Sequence, residues 1–269
     1  MTHTNSINAE NSASAQNAAS VENTANAQAA EANAQAAEAN AQAADNVQAG
    51  EASAQAHQIA ADLLSIRAVT LRPNDPFVWA SGLHAPIYTD NRLTISYPQV
   101  RTHIAQALAA LITRQFGEVD VIAGTATAGI PHAAWLAAEL NKPMIYVRSK
   151  PKDHGQGRQI EGMITPGART VVIDDLISTG GSVLKAVKAA EGEGAKVLGV
   201  ASIFNYELPE ARENFAAAGM PYFSATSYST LISEAIAQGF VDEADREVLA
   251  AWSNDPEGWS LAHGGEPLA

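Results

Sequence analysis

Apolar and polar positions follow one rhythm before His57 and another after it. Residues 1–57 offer almost no apolar side chain larger than alanine. A seven-residue unit, Asn26-Ala27-Gln28-Ala29-Ala30-Glu31-Ala32, recurs from Asn33 and again from Asn40, with Asp45 in the place of the glutamate. A heptad suggests a coiled coil, but a coiled-coil seam needs Leu, Ile or Val at its core positions. Alanine favours helix locally. With so little apolar area to bury, the expectation for 1–57 is a disordered Ala/Gln/Glu-rich acidic extension.

Residues 58–269 read as one domain of ordinary enzyme size. A first helix is predicted over Gln58 to Ile66. A longer one runs from Pro98 to Phe116, with Val100, Ile104, Leu108, Leu111 and Ile112 on one face. Strands and helices then alternate. Strands are predicted at Val119 to Ala123, Pro143 to Val147, Thr170 to Ile173, Lys196 to Phe204 and Tyr222 to Ala225. Helices are predicted at Pro131 to Leu140, Gly181 to Glu191 and Pro209 to Ala218, and again at Ser229 to Ala237 and Glu243 to Trp252. This alternation implies an α/β fold, a mainly parallel central sheet flanked by helices.

Charge narrows the partners. The chain has 269 residues and a formal charge of −13, which argues against nucleic acid. The extension carries six of the acidic side chains and no basic one. No apolar run is long enough to span a bilayer. Cysteine is absent, so disulfides and thiolate metal sites are excluded and a reducing cytoplasm is the expected setting. The N-terminus lacks the basic and apolar segments of a secretory signal. It has no Arg or Lys before Arg67, unlike a mitochondrial transit peptide.

The densest chemical signal is Val171-Val172-Ile173-Asp174-Asp175-Leu176-Ile177-Ser178-Thr179-Gly180-Gly181-Ser182-Val183. A short β-branched run reads as a buried strand. Two carboxylates follow at the carboxyl edge of the sheet, where open α/β folds bind ligands. Ser178 to Ser182 can turn several backbone N–H groups toward one point, and the next helix aims its positive end there. Such a turn suits a phosphate monoester, and the carboxylates suit adjacent sugar hydroxyls. A Gly-Gly turn or an Asp-Asp pair alone would mean little; the whole string describes a ribose 5-phosphate pocket.

A second stretch, Arg148-Ser149-Lys150-Pro151-Lys152-Asp153-His154-Gly155-Gln156-Gly157-Arg158, is a basic, glycine-containing loop in an acidic protein. On an extended segment Lys152 and His154 would face the same side. The loop reads equally as a cover for a polyanion or as a solvated surface segment.

The Asp-Asp string resembles the phosphoribosyl-diphosphate (PRPP) signature of the type I phosphoribosyltransferases. Lys152-Asp153-His154-Gly155 after a strand resembles the catalytic loop of the orotate phosphoribosyltransferase family. Ser81-Gly82-Leu83-His84-Ala85-Pro86-Ile87-Tyr88-Thr89-Asp90-Asn91-Arg92 resembles that family's N-terminal segment covering the base. The resemblance spans roughly residues 58–255. It implies the type I fold with a small N-terminal base-covering hood. The implied reaction transfers ribose 5-phosphate from PRPP to orotate, giving orotidine 5′-monophosphate and diphosphate in pyrimidine biosynthesis. It implies that Asp174 and Asp175 hold the ribose hydroxyls, with Asp175 also steadying charge at the reacting carbon. Leu176 and Ile177 lead into the cradle of the 5-phosphate, which runs from Ile177 through Ser178, Thr179, Gly180 and Gly181 to Ser182. Ser178 would also contact orotate. Arg148, Lys152 and His154 would bind the diphosphate, the last two as catalytic groups reaching across a homodimer interface. Thr125 to Pro131 resembles the family's diphosphate loop. Mg²⁺ would be held chiefly by PRPP oxygens and water; no protein-built metal cage is visible.

Three departures stand out. Ser149 follows Arg148 where many members have lysine, Ala80 precedes Ser-Gly where some have lysine, and Phe204-Asn205-Tyr206-Glu207 lacks the arginine some use for the orotate carboxylate. Arg92 is the candidate for that role. His84 lies on the base-side segment and reads either as functional or as packing. His132 reads as packing, with a place near the diphosphate as the alternative. The remaining histidines and the four tryptophans read as packing, surface or interface residues. A purine phosphoribosyltransferase is the nearest competing enzyme, and the Lys152–Gly155 loop speaks against it. A PRPP-sensing regulator would not need the loop cations and would carry a basic surface.

Overall fold

The computed structural model describes residues 49–150 and 159–267. The chain divides into two units, Met1–Glu51 and Ala52–Ala269, and the second is the subject here. Helix α1 is already formed at residue 49 and runs to 65, earlier than the predicted start at Gln58. Ile59, Ala60, Leu63 and Leu64 form its buried face. Two side-chain pairs hold it as well: Asp62 with His103 at 2.7 Å and His57 with Glu234 at 2.9 Å. His57 and His103 are therefore structural.

Two short hairpins follow. Strand β1 (Val69–Leu71) pairs antiparallel with β4 (Ile87–Thr89), and β2 (Phe77–Val78) with β3 (His84–Ala85). These form the small N-terminal hood. A 3-10 turn over Asn91–Ser96 leads into α2 (Pro98–Phe116), which has the predicted bounds. All five residues predicted for its inner face are buried.

The core is a six-stranded sheet in the order β10-β9-β8-β5-β6-β7. Its strands are β5 (Val121–Thr125), β6 (Met144–Val147), β7 (Ile160–Glu161), β8 (Arg169–Ile177), β9 (Lys196–Asn205) and β10 (Tyr222–Ser227). Every pairing is parallel except that of edge strand β7 with β6. Side chains on successive strand positions face opposite layers. Ile122, Val171 and Ile173 pack in one layer with residues of α1, α2 and α6 (Tyr228–Ala237). Val121, Ala123 and Val172 pack in the other with α4 (Gly181–Gly192) and α5 (Pro209–Ala217). Both faces are covered, which is why these strands read as continuous apolar runs.

Two details correct the sequence reading. Strand β8 does not stop at Ile173: Leu176 and Ile177 pair with Phe204 and Asn205 of β9, so Asp174 and Asp175 lie within the strand. The C-terminal part holds α7 (Arg246–Asn254) and a further helix, α8 (Pro256–Ala262), capped by Asp255 through the Gly258 N–H at 2.9 Å. Among the described residues no helix is long and apolar enough to cross a membrane.

Candidate active site

The central strand delivers two adjacent carboxylates to the carboxyl edge of the sheet. Asp174 is buried, and its Oδ1 accepts from the Thr125 hydroxyl at 2.7 Å and from the Asp175 N–H at 3.0 Å. The Asp175 carbonyl accepts from the buried Asn91 side-chain amide at 2.7 Å. Thr94 donates to the Asn91 carbonyl at 2.5 Å and therefore accepts from Nε2 of His132 at 3.2 Å. That fixes His132 as the Nε2–H tautomer, and burial holds its pKa down to about 4. Burial pushes both aspartates up. Asp175 reaches about 7, helped by the charge of Asp174. Removing a carboxylate from water disfavours its charged form, and a second carboxylate beside it adds repulsion. A ligand whose hydroxyls donate to these oxygens would relieve both.

Helix α3 (Gly129–Glu139) starts directly against this pair. A Cβ on Gly129 would stand 2.5 Å from both the Ile173 carbonyl and the Thr125 hydroxyl, so only glycine permits the approach. The Ala126–Thr127 peptide in the preceding loop is cis.

The turn after β8 is shaped for an anion. Gly180 has φ +79° at the start of α4, and no side chain caps that helix. Its first-turn N–H groups are free to meet a negatively charged ligand. The Asn214 amide donates to the Thr179 carbonyl at 2.9 Å and steadies the turn. Beside it lies a cavity of about 260 Å³ whose walls include Thr125, Arg148, Asp174, Ser182 and Lys185. Arg148 keeps a buried guanidinium nitrogen, Nη1, without a partner among the described residues. A phosphate would satisfy it. Gln159 grips the Arg148 backbone through both its own backbone and its side chain, at 2.8 and 2.7 Å. The two ends of the intervening basic loop are thereby held together. Lys152 and His154 lie outside the described residues.

On the other side of Ser178 is an aromatic cleft of about 360 Å³ between Trp79, Tyr88, Leu176 and Tyr206. Trp79 is pinned by its indole N–H to the Ile87 carbonyl at 3.0 Å and packs on Tyr206 and Trp252. A larger cleft of about 540 Å³ adjoins it, with Trp79 and Ser178 in the walls of both. Ser178 thus stands where the aromatic cleft meets the turn after β8.

Arg148, Asp174 and Ser182 share one cavity, and Asp175 to Ile177 complete β8 beside it. The turn from Ser178 to Gly181 joins that cavity to the aromatic cleft walled by Leu176 and Ser178. Arg92 is not in the wall of the aromatic cleft. Its guanidinium is held by Asp90 at 2.7 Å, close enough for its charge to act on Asp175. Tyr88 and Asn91 fall in the segment Ser81–Arg92 singled out from the sequence, without a role of their own; sequence reasoning missed Lys185, the Thr125–Asp174 bond, and Trp79 and Tyr206 as walls of the aromatic cleft. The glycine at position 129 was the one available signal for the close packing under the acid pair.

Residues 96–244 match the model of the phosphoribosyl transferase domain family. The orotate phosphoribosyltransferase of Lactiplantibacillus plantarum is 58% identical over 206 residues, covering 77% of this chain and 97% of that protein. That of Enterococcus faecalis is 60% identical over 204 residues, 76% of this chain and 97% of its own length. Among solved structures, orotate phosphoribosyltransferase from Aeropyrum pernix superposes with a TM-score of 0.58 at 29% identity, covering 68% of this chain and 99% of that one.

Proposed function

The chain belongs to the type I phosphoribosyltransferase family, in its orotate phosphoribosyltransferase branch, and from that premise we propose that it makes orotidine 5′-monophosphate from orotate and PRPP. The observation that carries the reading is the position of Ser178, shared by a flat aromatic cleft and a phosphate turn, with the acid pair next to it.

This reading gives each part of the reaction a place in the site. The free amides at the start of α4 receive the 5-phosphate. Asp174 and Asp175 accept from the ribose hydroxyls. The cavity at Arg148 and Lys185 receives the diphosphate. The base lies in the cleft walled by Trp79, Tyr88 and Tyr206, with Ser178 at its edge. As the C1–O bond breaks, the electron pair leaves with the diphosphate, a base nitrogen supplies the pair for the new C1–N bond, and the proton of that nitrogen passes to the departing diphosphate or to water. The carboxylates stabilise the positive charge that develops on the sugar, and the cations stabilise the negative charge on the leaving group. Among the described residues no three metal-ligating side chains gather. Mg²⁺ would be carried mainly by substrate oxygens and water, with Asp174 and Asp175 the carboxylates this site would offer it. When bound with PRPP, Mg²⁺ supplies charge neutralisation on the diphosphate. Lys152 and His154 complete the diphosphate site from the partner subunit of a homodimer.

The test is an ultraviolet assay of orotate consumption with PRPP and Mg²⁺, comparing the wild-type chain with Lys152→Ala. Loss of orotate absorbance in wild type, with kcat reduced by at least about 100-fold in the variant, is the expected result. Diphosphate release with a purine but not with orotate would move the protein to a sister activity.

A further inference from the structure

The β2–β3 hairpin of the hood is only two residue pairs long, and an isolated hairpin of that size does not hold its place in water. Its position has a specific cause at the far end of the chain. The His84 N–H donates to the Ser260 hydroxyl at 2.9 Å. The His84 ring meets the His263 carbonyl at 2.9 Å. A carbonyl only accepts, so Nδ1 carries the proton. Ser260 is itself buried, and its carbonyl takes the Gly265 N–H at 2.8 Å. The Trp259 indole donates to the Val248 carbonyl at 3.1 Å, tying α8 to α7, and the His263 ring stacks on Trp259 at 3.6 Å. His84 is the register partner of Val78, and Val78 and Trp79 line the aromatic cleft. Trp79 in turn packs against Trp252 of α7.

We infer that Ser260 and the His263 carbonyl are positioning groups for the base: they hold His84, and through it the hairpin that walls the aromatic cleft. They touch no substrate. They set base affinity by fixing the wall in advance, so that binding does not have to order it. PRPP, bound on the sheet edge and the α4 turn, does not depend on them. This inference rests on the reading that the aromatic cleft receives the base.

The experiment measures KM for orotate, KM for PRPP, kcat and melting temperature for Ser260→Ala, His84→Ala and His84→Asn in the full chain. An asparagine amide nitrogen can take the place of Nδ1–H. The expected result is an orotate KM raised roughly threefold to tenfold in Ser260→Ala and His84→Ala, the range one hydrogen bond covers. PRPP KM should stay within about twofold, and His84→Asn should recover most of the loss. Orotate KM unchanged in both alanine variants, or both KM values rising together with no recovery in His84→Asn, overturns the inference. Failure of the underlying reading shows differently, in the wild-type chain: if it uses another base, the same split is read with that base. A wild type that uses none overturns both.

Discussion

Thr125, the last residue of β5, and Asp174, inside β8, meet side by side, hydroxyl to carboxylate at 2.7 Å. The Gly124–Ile173 register brings them together, and the same hydroxyl also reaches the Ile173 carbonyl at 3.1 Å. Burial pushes Asp174 toward its neutral form, and the Thr125 bond opposes that shift. The hydroxyl therefore helps keep a buried carboxylate in its charged, accepting form, as the proposed sugar site requires.

Thr125→Val keeps the shape and removes the donor. The buried oxygen then loses a partner, at a cost of about 1–3 kcal/mol. PRPP KM should rise by about tenfold or more, and Thr125→Ser should restore it. Steady-state kinetics with PRPP varied at saturating orotate is the check, and a Thr125→Val enzyme with wild-type PRPP KM would contradict the role.

Asp175 predicts a pH-dependent stability. Its folded pKa is raised to about 7 from an ordinary carboxylate value of 3.8, first by burial and then by Asp174. The folded state therefore binds more protons than the unfolded chain between those values. The resulting contribution is fully present below about pH 4 and is lost as pH rises through about 7. Asp175→Asn, uncharged at every pH, should raise the melting temperature at pH 8 and do little at pH 5. The gain should be on the order of a few kcal/mol at most, with activity sacrificed for it. Equal melting shifts at the two pH values would mean that Asp175 titrates like an exposed carboxylate.

Much of this was legible because it is periodic or local. The α2 bounds and its buried face follow from a 3.6-residue rhythm ended by Gly117. Core strands were visible because burial on both faces makes them continuously apolar. The end of β8 was misread because a carboxylate pair looks like the end of a strand. The pairing that carries the strand onward to Ile177 comes from β9, and local pattern does not show it. Asn91 binds Asp175 from 84 positions away, and Thr125 binds Asp174 from 49; such contacts are properties of register and topology. Trp79 reads as core or interface because a residue lining a half-buried cleft has the same composition signature as one inside the protein. Helix α8 was missed because its seven residues are too few for a rhythm.

Gly180 separates two costs that usually come together. It has φ +79°, and a Cβ there would stand 2.5 Å from the Phe215 ring. Gly180→Ala must pay for a left-handed backbone, about 1–2 kcal/mol, and for overpacking against Phe215, about 1–3 kcal/mol. Phe215→Leu on its own removes part of a buried ring that stacks on Tyr222 at 4.1 Å, and should destabilise the domain. In the double variant the overpacking is relieved and the backbone strain remains. The two changes should therefore combine to less than the sum of their separate effects, a coupling of about 1 kcal/mol or more in denaturant unfolding. PRPP affinity should follow a different pattern. The α4 amides need the left-handed turn to face the phosphate, so binding should stay weak in the double variant even where stability recovers. Additive stabilities would place the whole cost in the backbone, and recovered PRPP binding would place the phosphate away from this turn.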